Sequence, residues 1–199
     1  MFDRGNFLRY PTNSRQCLWR YLPYERLLDL LRSEELYFTH VPAFSDGLEG
    51  SLTDRTRERL FSWFKMRIKL NDASAREQVR KYEEDQEDFY ASCWHMNDFE
   101  SYLMWKAYAE RGFAIRTTYE RVQAAFDRFN GAVTGGVVKY VDFTQESTPV
   151  GSPFYLVTTK DLSYRDEREF RLLLWARDPK NSELQRSGKG IRIPVDVRT

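Results

Sequence analysis

The sequence predicts an α+β fold, and three observations carry that prediction. Strand-like segments come in runs, without the regular strand and helix alternation of a parallel sheet. The hydrophobic period changes abruptly at Pro23, from a short strand, CLWRY, to the i, i+3, i+4, i+7 spacing of an amphipathic helix. The third is YRDEREFRLLL, residues 164–174, where period-2 alternation aims Glu167, Glu169 and Arg171 at one side and Phe170, Leu172 and Leu174 at the other. The apolar row needs a core, so the charged row faces either open water or a cleft.

Residues 1–16 read as a polar tail and 17–199 as one domain, long enough at this size to bury a core. The strand at 17–21 ends at Pro23, and Tyr24, Leu27, Leu28 and Leu31 then place a helix over 24–33 against the core. Residues 36–40 are β-like, and the glycines of SDGLEG (45–50) make a loop whose Asp46 and Glu49 read as turn chemistry before ligation. Between 53 and 88 lies a densely charged insert of one or two surface helices, broken near 71–74. FYASCW (89–94) is a strand. Asn97 with Glu100 has the form of a capping box for a helix running to about Glu110, which brings Ser101, Met104, Trp105 and Tyr108 within a turn of one another.

FAIRT (113–117) is the next strand, and Thr117 with Glu120 starts a helix that buries Val122, Ala125, Phe126 and Phe129. Further strands are expected at 137–143, 167–175 and 191–197, with a β-like stretch at 154–159 and an exposed loop over 178–189. The total is about six strands with three or four helices.

Composition excludes several classes. Lys and Arg total 31 against 30 Asp and Glu, so a net charge of +1 exerts no global pull on nucleic acid or membrane. Two cysteines, Cys17 and Cys93, make neither a disulfide framework nor a zinc spacing. MFDRGNFLRY lacks an apolar signal core and no window approaches 18 consecutive apolar residues, so the expectation is a soluble cytoplasmic protein with no membrane partner. There is no GxSxG, Walker A, GxGxxG, HExxH or kinase set, and His40 and His95 are not spaced as a metal pair, so no metal site is expected. Cys93 and His95, two apart on a strand, point the same way; as a nucleophile and base they rank below buried structural residues.

What remains is Arg20, the Tyr90/Ser92 side of its strand, Trp105 and Tyr108 on one helix, and the row Glu167, Glu169, Arg171. A guanidinium grips phosphate, rings stack on a base, and a carboxylate steadies a developing sugar cation; NAD offers all three parts. The plainer reading is open for each: Arg20 as a strand-end charge, the rings as core, the acids as a solvated face paired with Arg165 and Arg168.

The segments LWRYLPYERLLDLLRSEELYF, ASCWHMNDFESYLMWKAYAERGFAIRTTYERV, VKYVDF, YRDEREFRLLL and GIRIPVDV resemble the landmarks of a large bacterial domain family related to the ADP-ribosyltransferase superfamily. The likeness covers nearly all of the chain from Cys17 except the charged insert. It implies a split antiparallel sheet with flanking helices around a cleft that holds NAD as substrate. It also implies Arg20 on the first strand with neighbouring Tyr21, Tyr90 or Ser92 on a middle strand, and the E-x-E pair Glu167 and Glu169 as the acids, with Glu169 the first candidate for catalysis. Trp105, Tyr108 and Arg171 complete the expected NAD-binding set. The acceptor would be a protein or nucleic acid, and the resemblance suggests a toxin or phage-defence setting with a neutralising antitoxin protein. Two alternatives stand beside this: a non-catalytic nucleotide- or partner-binding module, and a metal-dependent hydrolase using Asp46, Glu49, Glu167 and Glu169.

Overall fold

A seven-stranded, antiparallel sheet organises the molecule, seen in a computed structural model that describes residues 2, 7–45 and 47–198. Asp46 lies outside the described residues. In chain order the elements are β1 (Cys17–Pro23), α1 (Tyr24–Ser33), β2 (Glu35–His40), α2 (Asp54–Arg67), α3 (Asp72–Glu84), β3 (Phe89–Met96), α4 (Tyr102–Tyr108), β4 (Gly112–Thr118), α5 (Tyr119–Ala124), β5 (Thr134–Val137), β6 (Lys139–Val141), α6 (Phe154–Val157), β7 (Thr159–Asp161), β8 (Glu169–Trp175) and β9 (Gly190–Pro194). The α+β expectation holds at the level of a mostly antiparallel sheet with flanking helices.

β3 is the hub. One of its edges pairs with β8 from Phe89↔Trp175 to His95↔Glu169. The other edge is shared: β1 takes one end, at Leu18↔Met96 and Trp19↔His95, and β2 takes the other, at Thr39↔Ala91 and His40↔Tyr90. β1 and β2 therefore fork apart, and each continues outward, to β4 and to β9. Arg20, one residue past the last β1 pair, fills the fork. Its Nη1 donates to Ser92 Oγ and its Nη2 to the Tyr37 carbonyl, 3.2 Å away, so a guanidinium serves backbone and side-chain acceptors where ladder hydrogen bonds stop.

One face of the sheet is apolar as the alternation predicts. Phe170, Leu172 and Leu174 are fully buried with Leu18, Phe38, Tyr90, Trp94, Tyr119 and Phe126 under α1 and α5. On the opposite face the far end is also apolar, where Phe89, Ala91 and Leu173 pack with Leu60 of α2 and Val79 of α3. The charged insert is thus two helices split where expected. Their outer faces are solvated and their inner faces close this second core. The near end of the same face, around Glu169 and Arg171, is not closed by α2 and α3 and forms a cavity walled in part by aromatic side chains.

Several boundaries differ from expectation for local reasons. Ser101, not Asn97, caps α4: its Oγ accepts from Met104 N–H, whereas the Asn97 carbonyl accepts from the Trp19 indole. Thr118, not Thr117, caps α5: it is the last residue of the β1–β4 ladder, opposite Cys17, and its Oγ1 accepts from Arg121 N–H, while Thr117 lies one residue further inside the strand. The strand expected over 137–143 begins at Thr134 and divides into β5, which pairs with β8, and β6, which pairs in parallel with β7. Residues 154–159 hold the short helix α6 before β7 begins at Thr159, since Pro153 opens a helical turn whose Phe154 carbonyl accepts from Thr158 Oγ. β9 stops at Pro194, which cannot donate to a ladder. Helix α1 has the expected bounds but no fully buried residue, and Tyr24 and Leu31 are exposed.

Candidate functional site

β8 does not begin at Glu167. That residue ends a 3-10 turn, Leu162–Glu167, and Arg168 follows in the left-handed region at φ 41°. A non-glycine residue held there stores strain, of order 1–3 kcal/mol. The reversal has a consequence: Glu167 and Glu169 both reach the same cavity although only Glu169 is a strand residue. His95 Nδ1 lies 2.6 Å from the Glu167 carbonyl, and Met96 N–H donates to the Arg168 carbonyl, which fixes the turn against β3.

The cavity has a volume of about 220 Å³ and draws on every element that meets at the fork. β1 contributes Trp19, Arg20 and Tyr21, β3 contributes Cys93 and His95, α4 contributes Tyr108, and β7 contributes Lys160. Register explains the β3 pair: Cys93 stands opposite Arg171 and His95 opposite Glu169, and facing residues in an antiparallel ladder share a side. Glu49 enters from the glycine-rich loop before α2.

Five charged side chains, all nearly excluded from solvent, form one network. Arg171, 1% exposed, donates through Nη2 to Glu49 Oε1 and Glu169 Oε2, both at 2.7 Å, and through Nη1 to the Val157 carbonyl at 3.0 Å. Lys160 Nζ lies 3.0 Å from Glu49 Oε1, 2.7 Å from Glu167 Oε2 and 3.9 Å from Glu169 Oε2. Tyr108 donates its hydroxyl to Glu167 Oε1 at 2.6 Å, and Tyr140 accepts from Glu169 N–H at 2.8 Å. Three carboxylates thus face two cations, and both cations are engaged by carboxylates.

The network sets the protonation of its members. Burial alone lifts the Glu49 carboxyl, but the charges and hydrogen bonds of Arg171 and Lys160 outweigh it and hold the group below its ordinary range. Burial works against the cationic forms of Lys160 and Arg171, yet Glu169 and Glu49 hold both above their ordinary values. The Cys93 thiol is pushed well up, first by burial and then by the Glu169 charge, so it is no ready thiolate nucleophile. Burial lowers His95, and its Nδ1 must carry a proton to satisfy the Glu167 carbonyl, so the ring is neutral at pH 7 with Nε2 a bare acceptor. Burial also raises Tyr108, with Glu167 adding to the effect, and lowers Arg20 to about 10, which leaves it a cation at neutral pH.

Of the residues expected from sequence, Tyr21, Tyr108, Glu167, Glu169 and Arg171 line the cavity; Arg20 borders it from β1, but alternation along the strand turns its guanidinium to Ser92 on the other side of the sheet, away from the acids. Tyr90, Ser92 and Trp105 do not line it. Tyr90 and Ser92 fall on the other side of β3, Tyr90 in the apolar core with its hydroxyl accepting from Ser187 N–H, and Ser92 holding Arg20 and the Trp94 indole. Trp105 stands behind Tyr21, ring centroids 5.2 Å apart, and donates its indole N–H to Glu100. Arg171 is committed to two carboxylates, so an ADP phosphate would have to displace them to reach it.

Sequence reasoning missed Lys160 and Tyr140, set Cys93 and His95 aside, and grouped Glu49 with Glu167 and Glu169 only in the metal-dependent hydrolase alternative. The face of β3 was legible in principle, because Ala91, Cys93 and His95 share the period-2 side that faces the E-x-E row once β3 and β8 pair. Lys160 carried no such signal; its edge-strand position acquires meaning only through contacts such as that with Glu49, more than a hundred residues away.

Among the described residues no group of three or more His, Cys, Asp or Glu is placed to hold a metal ion, and no helix is long and apolar enough to cross a membrane. Compared with protein-family models, curated proteins and solved structures, the chain shows no match.

Proposed function

We propose that the chain is an ADP-ribosyltransferase-like enzyme that consumes NAD at the cavity in the fork between β1 and β2. One observation carries the reading: Glu167 and Glu169 converge on one aromatic-walled cavity at the place where the antiparallel sheet divides, with Tyr21 and Tyr108 beside them. The resemblance of the WRY, CW, MW and ExEFR segments implies a cleft at these acids, and their convergence supports the reading, although Tyr90, Ser92 and Trp105, which it also implies there, lie elsewhere.

The charges favour an orientation. An inner chamber with three carboxylates repels phosphate and suits the cationic nicotinamide-ribosyl end of NAD. At about 220 Å³ the cavity is smaller than the roughly 300–1,000 Å³ usual for whole ligands, so one end of a dinucleotide enters and the rest lies across the mouth. Arg20 makes no ion pair among the described residues, but its guanidinium turns to Ser92 and the Tyr37 carbonyl on the opposite side of the sheet from the two acids, so the pyrophosphate has no cation waiting for it inside the cavity.

In the reaction the bond between C1′ of the ribose and the nicotinamide nitrogen breaks, and its electron pair leaves with nicotinamide. Glu169 stabilises the oxocarbenium-like transition state, an electrostatic task that glycosidase carboxylates also perform. The acceptor's lone pair bonds to C1′, and its proton passes to Glu167. A protein side chain, a nucleic-acid group or water can fill that role.

A second reading is favoured by a specific feature: Glu167 and Glu169 are both already ion-paired, as expected of a non-catalytic module whose acids are structural. NAD labelled separately in the nicotinamide and adenine rings distinguishes the two. The transferase reading expects free labelled nicotinamide from the parent and little from Glu169→Gln, with adenine label on a macromolecule for transfer or in free ADP-ribose for hydrolysis. Binding of intact NAD with no nicotinamide released supports the module and overturns the enzyme.

A further inference from the structure

Two acceptors in the cavity wall have nothing to accept from. Glu49 directs Oε1 at both Arg171 and Lys160, while its Oε2 is buried without a partner among the described residues. His95, 2% exposed, donates from Nδ1 to the Glu167 carbonyl, and its Nε2 is likewise buried and unpartnered. Both side chains line the same cavity. Burying a polar atom unpaired is unfavourable, and native structures rarely tolerate it except where something else supplies the partner. Two such acceptors in a single cavity therefore define what an occupant must bring: hydrogen-bond donors.

Charge narrows the class. Glu49, Glu167 and Glu169 outnumber Lys160 and Arg171, and each of those cations already sits on two or more carboxylates. An anionic occupant would lie against Glu49 while both neighbouring cations, Lys160 and Arg171, are already paired. Arg171 Nε, also buried without a partner among the described residues, is a single N–H suited to one neutral acceptor such as an amide or hydroxyl oxygen.

We propose that Glu49 and His95 form a subsite that reads hydrogen-bond donors on a non-anionic group, of the kind a carboxamide or a furanose hydroxyl pair presents. The proposal deepens the NAD reading and takes its probes from it, but it concerns recognition and is measured by binding without turnover. A neutral His95 is essential to it, since a protonated ring would donate at Nε2 and reverse the preference.

The test is a ligand-observed NMR titration of the full chain with two matched sets. The first is nicotinamide, 3-acetylpyridine, in which a methyl replaces the amide nitrogen, and nicotinate, which is anionic; the second is methyl β-D-ribofuranoside and its 2-deoxy counterpart. The parent is expected to bind nicotinamide or the ribofuranoside at least about tenfold tighter than its donor-poor partner, and nicotinate more weakly still. The set that shows the preference identifies whether the amide or the hydroxyls are read. His95→Phe, which keeps a flat ring and removes the acceptor, is expected to cut the preference below about twofold while circular dichroism shows an unchanged fold. Glu49→Gln is expected to do the same and is the second variant should either fold poorly. Equal binding of the matched partners by the parent, nicotinate binding as tightly as nicotinamide, or a preference that survives both substitutions overturns the subsite. If donor preference stands while NAD is never cleaved, the transferase reading fails alone; if NAD is cleaved without any donor preference, the subsite fails alone.

Discussion

Arg80 on α3 and Arg171 on β8 each hold two glutamates, Glu77 and Glu84 in one case and Glu49 and Glu169 in the other. The Arg80 side chain is 59% exposed and the Arg171 side chain 1%. The first cluster is the ordinary outer face of a helix, with i, i+3 and i, i+4 partners that water could replace. The second is embedded in the sheet between a cavity and an apolar core, where desolvation is expensive and only mutual pairing offsets it. Identical chemistry thus has opposite meaning in the two places: on α3 it keeps a surface wet, and at the fork it keeps charges poised where an apolar core would have been simpler to build.

The contrast can be broken by removing its centre. Arg171→Met leaves Glu49 and Glu169 buried without their main partner and is expected to cost about 3–5 kcal/mol, read as a lower urea midpoint at unchanged m-value. A loss under about 1 kcal/mol would mean that the network is better solvated than its burial indicates.

Acid sharpens the same point. The pKa of Glu49 is depressed in the folded state, so its contribution is complete above the ordinary carboxylate range and is lost as pH falls through the folded value. Stability of the parent is therefore expected to fall from about pH 5 downward more steeply than that of Glu49→Gln. Parallel curves from thermal unfolding across pH 3–7 would remove Glu49 from the network's account. Lys160 has the opposite sign: its raised value makes its contribution complete below the ordinary lysine value of 10.5 and lost only as pH rises beyond it, so the acid limb belongs to the carboxylates. At the small end, Arg80→Ala is expected to leave the urea midpoint within experimental error.

The fold was legible wherever a hydrophobic period was long or a turn residue unambiguous. Pro23 and the leucine spacing after it gave α1 its observed bounds, and the alternation from Phe170 to Leu174 gave the buried face of β8. It failed where a local signal had two claimants. Thr117 and Thr118 can each cap a helix, and only the end of the β1–β4 ladder at Thr118 decides between them; residues 154–159 are β-like in composition, yet Pro153 starts a turn. At the site, the row containing Glu169 and Arg171 could be read because a strand displays it. Glu167 reached the cavity by a different route, through the left-handed Arg168, which no period-2 rule anticipates. Tyr90 and Ser92 were placed by their residue types and not by parity; register with β8 puts Cys93 and His95 on the cavity side instead. Lys160 shows why the rest was hidden, since a buried ion network is assembled from loops and edges that meet only after the chain has folded; Glu49 was grouped with the E-x-E acids, but as a metal ligand and not as the partner of two cations.

The most direct measurement is the rate of nicotinamide release from NAD by the parent and by Glu169→Gln, each first shown to keep its melting temperature. The account predicts release by the parent and a fall of about a hundredfold or more in the variant, the size of effect expected when a group that stabilises transition-state charge is neutralised. Equal rates in the two proteins, or no release from a folded parent that binds NAD, would contradict it.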